Sequence, residues 1–269
     1  MPLLACVGAL ASLPGCVHAL KEPPPLEELG SDRVGIPVSG DLDALLHRAQ
    51  FLYATRALGE VREAVALYLQ AARADGSRVE GLLGAARAQV WIVDHEADAA
   101  DKEEAALGAV HAAQWCLRIA PENPACDYWL GAALGVQARE RRSTALDALP
   151  RIEEAFRIAA EKDPALEQGG PHRALALLYA RAPGWPSGPG DPDRALEEAL
   201  KAVELRPEYP PNQMALGEAL GLTGDPRRAR EAFSLALELA NSLKAAGDPD
   251  AWEWIREAEE ALTRKPAVP

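Results

Sequence analysis

The stretch 209–239 restricts the fold of this chain more than any other part of the sequence. It reads YPPNQMALGEALGLTGDPRRAREAFSLALEL, which predicts two helices with a break before Pro226, a residue that suits the first turn of a helix. Gly217 and Ala229 are small where the two helices are expected to cross, and Phe233 is the bulky residue between them. One such helix pair cannot bury its apolar face alone, so it must stack on further copies.

Four similar units precede this one. A small residue late in the second helix of each unit recurs at spacings of 45, 43, 43 and 34 residues, at Ala71, Cys116, Ala159, Ala202 and Ala236. The last spacing is that of the tetratricopeptide repeat (TPR). The other three units have roughly ten extra residues, which we place between the two helices of a unit, so that they project from one edge of a solenoid.

The ends of the repeat region can also be predicted from the sequence. Asp41 is the expected N-cap of the first helix, and 248–264 has the pattern of a last amphipathic helix that closes the open end of the stack. In the second unit we expect a first helix from about Arg78, a longer connecting segment from Val90 to Asp101, and a second helix from Lys102 to Ile119. The sequence therefore predicts an all-α solenoid of five TPR-like hairpins over 41–265, with long inter-helix insertions and a C-terminal capping helix.

The composition and the scattered polar motifs argue against several classes of function. The net charge of −13 repels phosphate backbones, so nucleic acid is not expected as a partner. His95 and Glu96 begin like a zinc-protease helix, but position 99 is Ala where a second His is needed. No phosphate-binding loop or Ser/His/Asp arrangement is present in the sequence. We therefore expect no metal, no cofactor and no enzyme activity.

The first residues resemble the start of a bacterial lipoprotein. The apolar run 3–13 is too short to span a bilayer, and it precedes Leu13-Pro14-Gly15-Cys16, which resembles a lipobox with Cys16 as the lipidated residue. The alternatives are an ordinary cleaved signal peptide or a short buried helix. The lipoprotein interpretation makes 1–15 a signal peptide, and the Pro-, Gly- and charge-rich segment 16–40 a flexible tether to the membrane.

Three motifs in the last third resemble one family. GGPHR at 169–173, APGWP at 182–186 and YPPN at 209–212 are similar to the TRAP-transporter T-component (TatT-like) family of periplasmic TPR lipoproteins. The resemblance covers most of 41–240. It implies a lipid-anchored protein of the bacterial envelope, on the periplasmic side of the outer membrane, that binds the solute-binding protein of a TRAP transporter. It also implies a homotrimer with apolar clefts for a hydrophobic ligand.

Cys116 and Cys126 are ten residues apart, across the turn between the second and third units, and their spacing is not a zinc motif. In an oxidising periplasm they would form a disulfide. The other interpretation is two small buried residues at helix contacts, and the sequence favours neither.

The expected partner- or ligand-binding residues combine the concave face of the solenoid with the inserted loop of the fourth unit. They are Tyr53, Tyr128, His172, Arg173, Trp185, Met214 and Glu218. The structural alternative is that Trp185 covers the core and Arg173 pairs with a neighbouring acid. The leading functional hypothesis is a TRAP accessory protein, and the alternative is a generic TPR scaffold for envelope complexes.

Overall fold

The computed structural model describes residues 22–30, 41–141 and 145–264. Within these ranges the chain forms eleven α-helices and no β-strand. The helices are α1 (Leu42–Ala54), α2 (Leu58–Ala74), α3 (Glu80–His95), α4 (Ala99–Ile119), α5 (Pro124–Glu140), α6 (Ala145–Lys162), α7 (Leu166–Arg181), α8 (Pro192–Leu205), α9 (Pro210–Leu222), α10 (Pro226–Ala245) and α11 (Ala251–Thr263). The predicted signal peptide and Cys16 lie outside the described residues.

The helices pair in chain order. The pairs α1–α2, α3–α4, α5–α6, α7–α8 and α9–α10 each pack as a hairpin, every hairpin packs on the next, and α11 packs on α10. The predicted all-α solenoid of five TPR-like hairpins and a terminal helix is confirmed. The order of the elements follows from the repeat, because each hairpin has one apolar side that only a neighbouring hairpin can cover.

Short polar side chains fix where many of the helices begin. Five N-cap residues accept hydrogen bonds from backbone N–H groups of the first turn, namely Asp41, Asp98, Asn123, Asp191 and Asp225. Such a cap is worth about 1 kcal/mol to its helix. The cap predicted at Asp41 is present, with its carboxylate 3.1 Å from the amide nitrogen of Asp43.

Small residues under aromatic rings set the distance between the helices of a hairpin. A Cβ atom at Gly131 would lie 2.7 Å from the Phe156 ring, and a Cβ atom at Gly217 would lie 2.5 Å from the Phe233 ring. The five small residues that define the repeat spacing have at most 2% of their surface exposed. The helices therefore approach each other closely because glycine, alanine and Cys116 leave room for them.

The insertions differ from the prediction. In the second unit α3 continues to His95 and α4 begins at Ala99, so most of the expected connecting segment is helical. Its Ile92 and Val93 are buried in a small apolar cluster with residues of α2 and α4. The extra residues lengthen this hairpin because their side chains add to its apolar interface. The ten extra residues form an irregular loop, 182–191, in the fourth unit.

Residues 22–30 also differ from the flexible tether predicted for 16–40. Leu26 and Leu29 are buried, and the short 3₁₀ helix Leu26–Glu28 places them on one side of the segment. The indole nitrogen of Trp115 on α4 donates to the carbonyl oxygen of Pro24 at 2.9 Å. The segment thus forms part of the folded surface over α2 and α4, because the spacing of its two leucines gives it an apolar side.

Candidate binding surface on the inner face

The odd-numbered helices line the concave side of the stack. Each of α1, α3, α5 and α7 contacts the next odd-numbered helix, whereas the even-numbered helices within the described ranges have no such contacts of similar extent. Elements on the concave side of a curved stack lie closer together, so we call the surface of the odd-numbered helices the inner face. Tyr53, Tyr128, Met214 and Glu218 all come from these helices.

Two arginines lie over tyrosine rings of the inner face. The Arg56 guanidinium is 4.0 Å from the ring centroid of Tyr53, and that of Arg173 is 5.2 Å from the ring of Tyr209. Burial raises the pKa of Tyr53 to about 12, and it also raises the pKa values of Tyr128 and Tyr209, although the nearby arginines act in the opposite direction. At neutral pH this part of the inner face therefore combines cationic guanidinium groups with uncharged phenols.

The start of α7 is kinked. Glu167, Gln168 and Gly169 have φ angles of 47°, 61° and 79°. This is the left-handed region, which glycine adopts freely but residues with a Cβ atom, such as the first two, disfavour. Arg173 holds this turn, because its Nη1 donates to the carbonyl oxygens of Glu167 at 3.3 Å and Gln168 at 3.4 Å, and to Asn212 Oδ1 at 2.9 Å. The structure thus places Arg173 within the scaffold, bonded to carbonyls and an amide rather than to an acid.

Asn212 is the fully buried centre of this network. Its Nδ2 donates to the carbonyl oxygens of Gln168 and Ala202 at 2.9 Å each and of Arg206 at 3.1 Å. The amide thereby joins α9 to both helices of the preceding hairpin. The sequence predicts no role for Asn212 beyond its place in the YPPN motif. A polar residue at a helix position that should be apolar was the available signal.

The kink also reaches α3. The Glu167 carboxylate forms an ion pair with Arg87, whose guanidinium lies 5.3 Å from the ring centroid of Trp129 on α5. Three successive units are thus joined through the side chains around the kink.

The N-terminal half of α11 lies across the inner face and contacts distant units. Asp250, its N-cap, accepts hydrogen bonds from Arg56 Nε at 2.6 Å and Nη2 at 2.8 Å, across 194 residues of sequence. Glu253 lies 3.5 Å from His95 at the end of α3, and Trp254 packs edge-on against Tyr209 with ring centroids 5.4 Å apart. The solenoid curves until its last helix touches its first hairpin.

Glu257 continues this row of α11 contacts. Burial, together with the neighbouring Glu253 carboxylate, raises the pKa of Glu257. The positive charges of Arg256 on the same helix and of Arg181 at the end of α7 act against that rise. Arg181 itself donates two hydrogen bonds to the Glu218 carboxylate, at 2.9 and 2.8 Å. Glu218 is therefore occupied by an ion pair, while Met214 on the same helix is half-buried.

His172 lies in the contact between α7 and α8. Its Nδ1 is 2.6 Å from Glu198 Oε2 on α8. Burial is the largest single influence and acts to raise the pKa of Glu198. The hydrogen bonds and charges of His172 and Lys201 together outweigh it and hold the pKa below its usual range. The structure therefore places His172 inside the fourth hairpin, apart from the arginine–tyrosine contacts of the inner face.

Trp185 is the most exposed large apolar side chain of the described residues, at 90%. Its loop is nevertheless tied together by backbone hydrogen bonds from Gly190 to Pro183 at 2.9 Å, from Ser187 to Gly184 at 3.1 Å, and from Asp191 to Tyr179 at 2.9 Å. The Trp185–Pro186 peptide bond is cis. The indole thus projects into solvent from a fixed backbone and does not cover the core.

The sequence predicted that Trp185 and Arg173 lie at one site, but the structure separates them. Eight helical residues separate Arg173 from the end of α7 at Arg181, which corresponds to about 12 Å along the helix axis. Arg173 lies at the kinked end of α7 and Trp185 beyond the other end. They therefore belong to two different surfaces.

The acidic residues after α3 serve as caps and ion-pair partners. Glu96 accepts backbone hydrogen bonds from Ala97 and Asp98 and pairs with Arg62, and Asp98 caps α4. Within the described ranges no group of three or more His, Cys, Asp or Glu side chains is arranged to hold a metal ion. The side chains of this region therefore stabilise the turn between α3 and α4.

Cys116 and Cys126 form a disulfide in the structure, with their Cα atoms 5.4 Å apart. The bond joins the end of α4 to the start of α5 and so links the second unit to the third. Both residues are fully buried, so the packing expected of small residues at a helix contact is also present.

In the part of the chain that the structure describes, no helix combines the length and apolar character needed to cross a bilayer.

Comparison with solved structures identifies the fold. The chain is similar to the TPR protein TTC0263 of Thermus thermophilus, with a TM-score of 0.62 and 21% identity over 83% of this chain and 100% of the other. It is also similar to PilF of Pseudomonas aeruginosa (TM-score 0.54, 16% identity, 83% and 90% covered) and to MamA of Desulfovibrio magneticus RS-1 (TM-score 0.50, 21% identity, 76% and 97% covered). No protein-family model and no curated protein matches the chain. At these identities the likeness concerns the fold, which is that of a TPR protein.

Proposed function

We propose that this chain is a non-enzymatic protein-binding module, a TPR scaffold for the assembly of protein complexes of the cell envelope. The observation that carries the proposal is Trp185, a large aromatic side chain exposed on a loop whose backbone is already ordered. Tryptophan is the residue type most enriched among the side chains that dominate protein interfaces. A preordered loop also lowers the entropic cost of binding.

The neighbourhood of the loop extends this apolar edge. The loop packs on α6, where the Leu149 side chain comes within 3.0 Å of the position of a Cβ atom at Gly188. Leu146, in the first turn of α6, is exposed. An exposed leucine and an exposed tryptophan on adjoining elements are suited to bury apolar area against a partner.

A narrower form of the proposal follows from the family resemblance. In that form the partner is the solute-binding protein of a TRAP transporter, and the chain is held on the periplasmic side of the outer membrane through a lipidated Cys16. Assembly into a homotrimer and binding of a hydrophobic ligand belong to the same proposal. The APGWP motif, which supports it, is the segment that presents Trp185.

The first test measures binding of the purified chain to a TRAP solute-binding protein by isothermal titration calorimetry. We expect Trp185→Ala to weaken binding by about 1–2 kcal/mol without changing the melting curve. Trp252→Ala is the matched control, because Trp252 is a second exposed tryptophan that lies on α11. If both variants bind like the wild type, the Trp185 loop is not the binding edge.

The second test separates the narrow proposal from the general one. Chemical cross-linking in cells, followed by identification of the proteins joined to the wild type and not to Trp185→Ala, names the partner. A solute-binding protein supports the TRAP assignment, and components of another envelope complex support the general scaffold. Labelled fatty acid should be incorporated into the wild type and not into Cys16→Ala, and an unlabelled, soluble wild type would contradict the anchor.

A further inference from the structure

The side of α11 that meets the inner face carries a regular row of acidic and aromatic residues. Asp250, Glu253, Trp254 and Glu257 stand at positions i, i+3, i+4 and i+7, so they share one side of the helix. We call these four residues the acidic stripe. The residues buried in α11 are Ala251, Ile255 and Ala258, and they form a different side. α11 therefore has an apolar side for the fold and an acidic stripe for the inner face.

The inner face provides charged and aromatic partners for the acidic stripe. Arg56 forms two hydrogen bonds with Asp250, His95 lies opposite Glu253, and the positive charge of Arg181 acts on Glu257 from the end of α7. The ring of Tyr209 provides an aromatic contact for Trp254. Arg56, His95 and Arg181 lie at or just beyond the C-terminal ends of α1, α3 and α7, and Tyr209 precedes α9, so that only the curved stack brings them to one surface.

The contacts of the acidic stripe remain partly open to water. The side chains of Arg56 and Asp250 are 18% and 28% exposed, and those of His95 and Glu253 are 29% and 33% exposed. Ion pairs with access to solvent are weak individually, because water and salt screen the charges. The connection before α11 also contains Gly247 at φ +85°, with open space around it. The stripe is thus held by contacts that a competing helix can replace.

We propose that the inner-face surface of Arg56, His95, Arg181 and Tyr209 is a receptor for an acidic, tryptophan-containing amphipathic helix of a partner protein. In the free chain α11 occupies this receptor as an intramolecular substitute for the partner helix. The recognition follows the helix-in-groove mode, with anchors at i, i+3, i+4 and i+7. The inference rests on the proposed protein-binding function but concerns a surface separate from the Trp185 loop.

The test uses a fluorescein-labelled peptide of residues 248–264 and fluorescence anisotropy with the full chain. A stripe variant, Asp250→Asn/Glu253→Gln/Trp254→Ala, weakens the hold of α11 in the chain while leaving the receptor unchanged. Because a receptor that is mostly occupied binds an added ligand in proportion to its open fraction, the stripe variant should bind the peptide at least about tenfold more tightly than the wild type. A peptide carrying the same three substitutions should bind neither protein.

Two further variants identify the receptor. Adding Arg56→Ala to the stripe variant should remove the gain in affinity. Arg48→Ala should leave it unchanged, because Arg48 is an exposed arginine of α1 that pairs with Glu63. Equal peptide affinity for the wild type and the stripe variant, or binding to neither, overturns the proposal. A stripe variant that loses cooperative melting overturns it as well, because α11 would then be an obligatory part of the fold. A stripe variant that dimerises in light-scattering measurements would assign the receptor to a second copy of this chain instead of a different protein.

The outcome is independent of the Trp185 experiment. If the peptide binds as expected and Trp185→Ala does not change partner binding, the partner site is assigned to the inner face. If the peptide does not bind as expected but Trp185→Ala weakens partner binding, the loop remains the binding edge and only the receptor proposal is overturned.

Discussion

Replacing Asn212 by alanine should be among the most destabilising single changes in the fourth and fifth units. The two N–H groups of the side-chain amide are shared among three backbone carbonyl oxygens, and the amide oxygen accepts from Arg173. It is fully buried, so water does not replace these bonds in the folded state. A single buried hydrogen bond contributes about 0.5–1.5 kcal/mol to stability.

The carbonyl groups left behind lower the expected cost. The oxygen of Ala202 also accepts from the Arg206 amide at 3.1 Å, and that of Arg206 accepts from the Tyr209 amide at 3.3 Å. Arg173 remains a donor to Gln168. Because no carbonyl is fully orphaned, the loss lies in the middle of the range for three bonds, and we expect a decrease of about 3 kcal/mol in the free energy of unfolding.

Asn241→Ala is the matched control. Asn241 lies on α10, is exposed, and makes one hydrogen bond, to the carbonyl oxygen of Leu237 at 2.8 Å. Alanine is also the better helix former, so this change should alter the free energy of unfolding by no more than about 0.5 kcal/mol. Urea denaturation followed by far-UV circular dichroism measures both variants on the same scale.

Hydrogen exchange then locates the effect. In Asn212→Ala, exchange should accelerate first at 166–170, because the left-handed turn loses the amide that holds the Gln168 carbonyl. A double-mutant cycle with Arg173→Ala should give a coupling energy of about 1 kcal/mol, since the two side chains share one bond and one turn. A loss for Asn212→Ala below about 1 kcal/mol, or equal to that of the control, would refute the assignment of the kink to this network.

Three other predictions follow from the packing, the disulfide and the buried phenol. Ala229→Leu should lower the free energy of unfolding by about 1–3 kcal/mol through overpacking, whereas Ala245→Leu, at an exposed position of the same helix, should be nearly neutral in the same urea titration. Thiol titration of denatured protein made in the periplasm should detect neither Cys116 nor Cys126, and two reactive thiols there would contradict the disulfide. The pKa of Tyr53 is raised to about 12 in the folded state from about 10 in the unfolded state. The contribution of its neutral phenol to the free energy of unfolding is therefore complete below pH 10 and is lost between pH 10 and 12. Wild-type stability should therefore fall more steeply than that of Tyr53→Phe over this interval, and parallel curves would show that the phenol is not buried.

Sequence and structure differ most clearly at the two ends of α7. The sequence placed Arg173 and Trp185 at one site because they are close in the chain and belong to motifs of one resemblance. In the structure a helix separates them, and Arg173 is engaged by the kink that it holds. The sequence did not predict the kink, because Glu167 and Gln168 adopt the left-handed conformation although neither residue is a glycine.

The sequence by itself determined the all-α fold, the number of hairpins and the small residues between them. These features are local or repeat at a regular spacing: a capping aspartate acts within one turn, and Gly217 faces Phe233 within one hairpin. Each unit packs mainly on its nearest neighbours, so the pattern of apolar and small residues is sufficient to predict how the units stack.

Only the tertiary structure decided how far the stack curves and which residues its ends bring together. The rotation between successive hairpins is small and depends on the packing of many side chains, and no single residue encodes it. Summed over five hairpins, this rotation places Asp250 against Arg56 and closes the inner face with α11. Contacts across such a distance in sequence follow from the accumulated geometry of the whole solenoid, and for that reason the repeat pattern predicted the capping helix but not the surface that it covers.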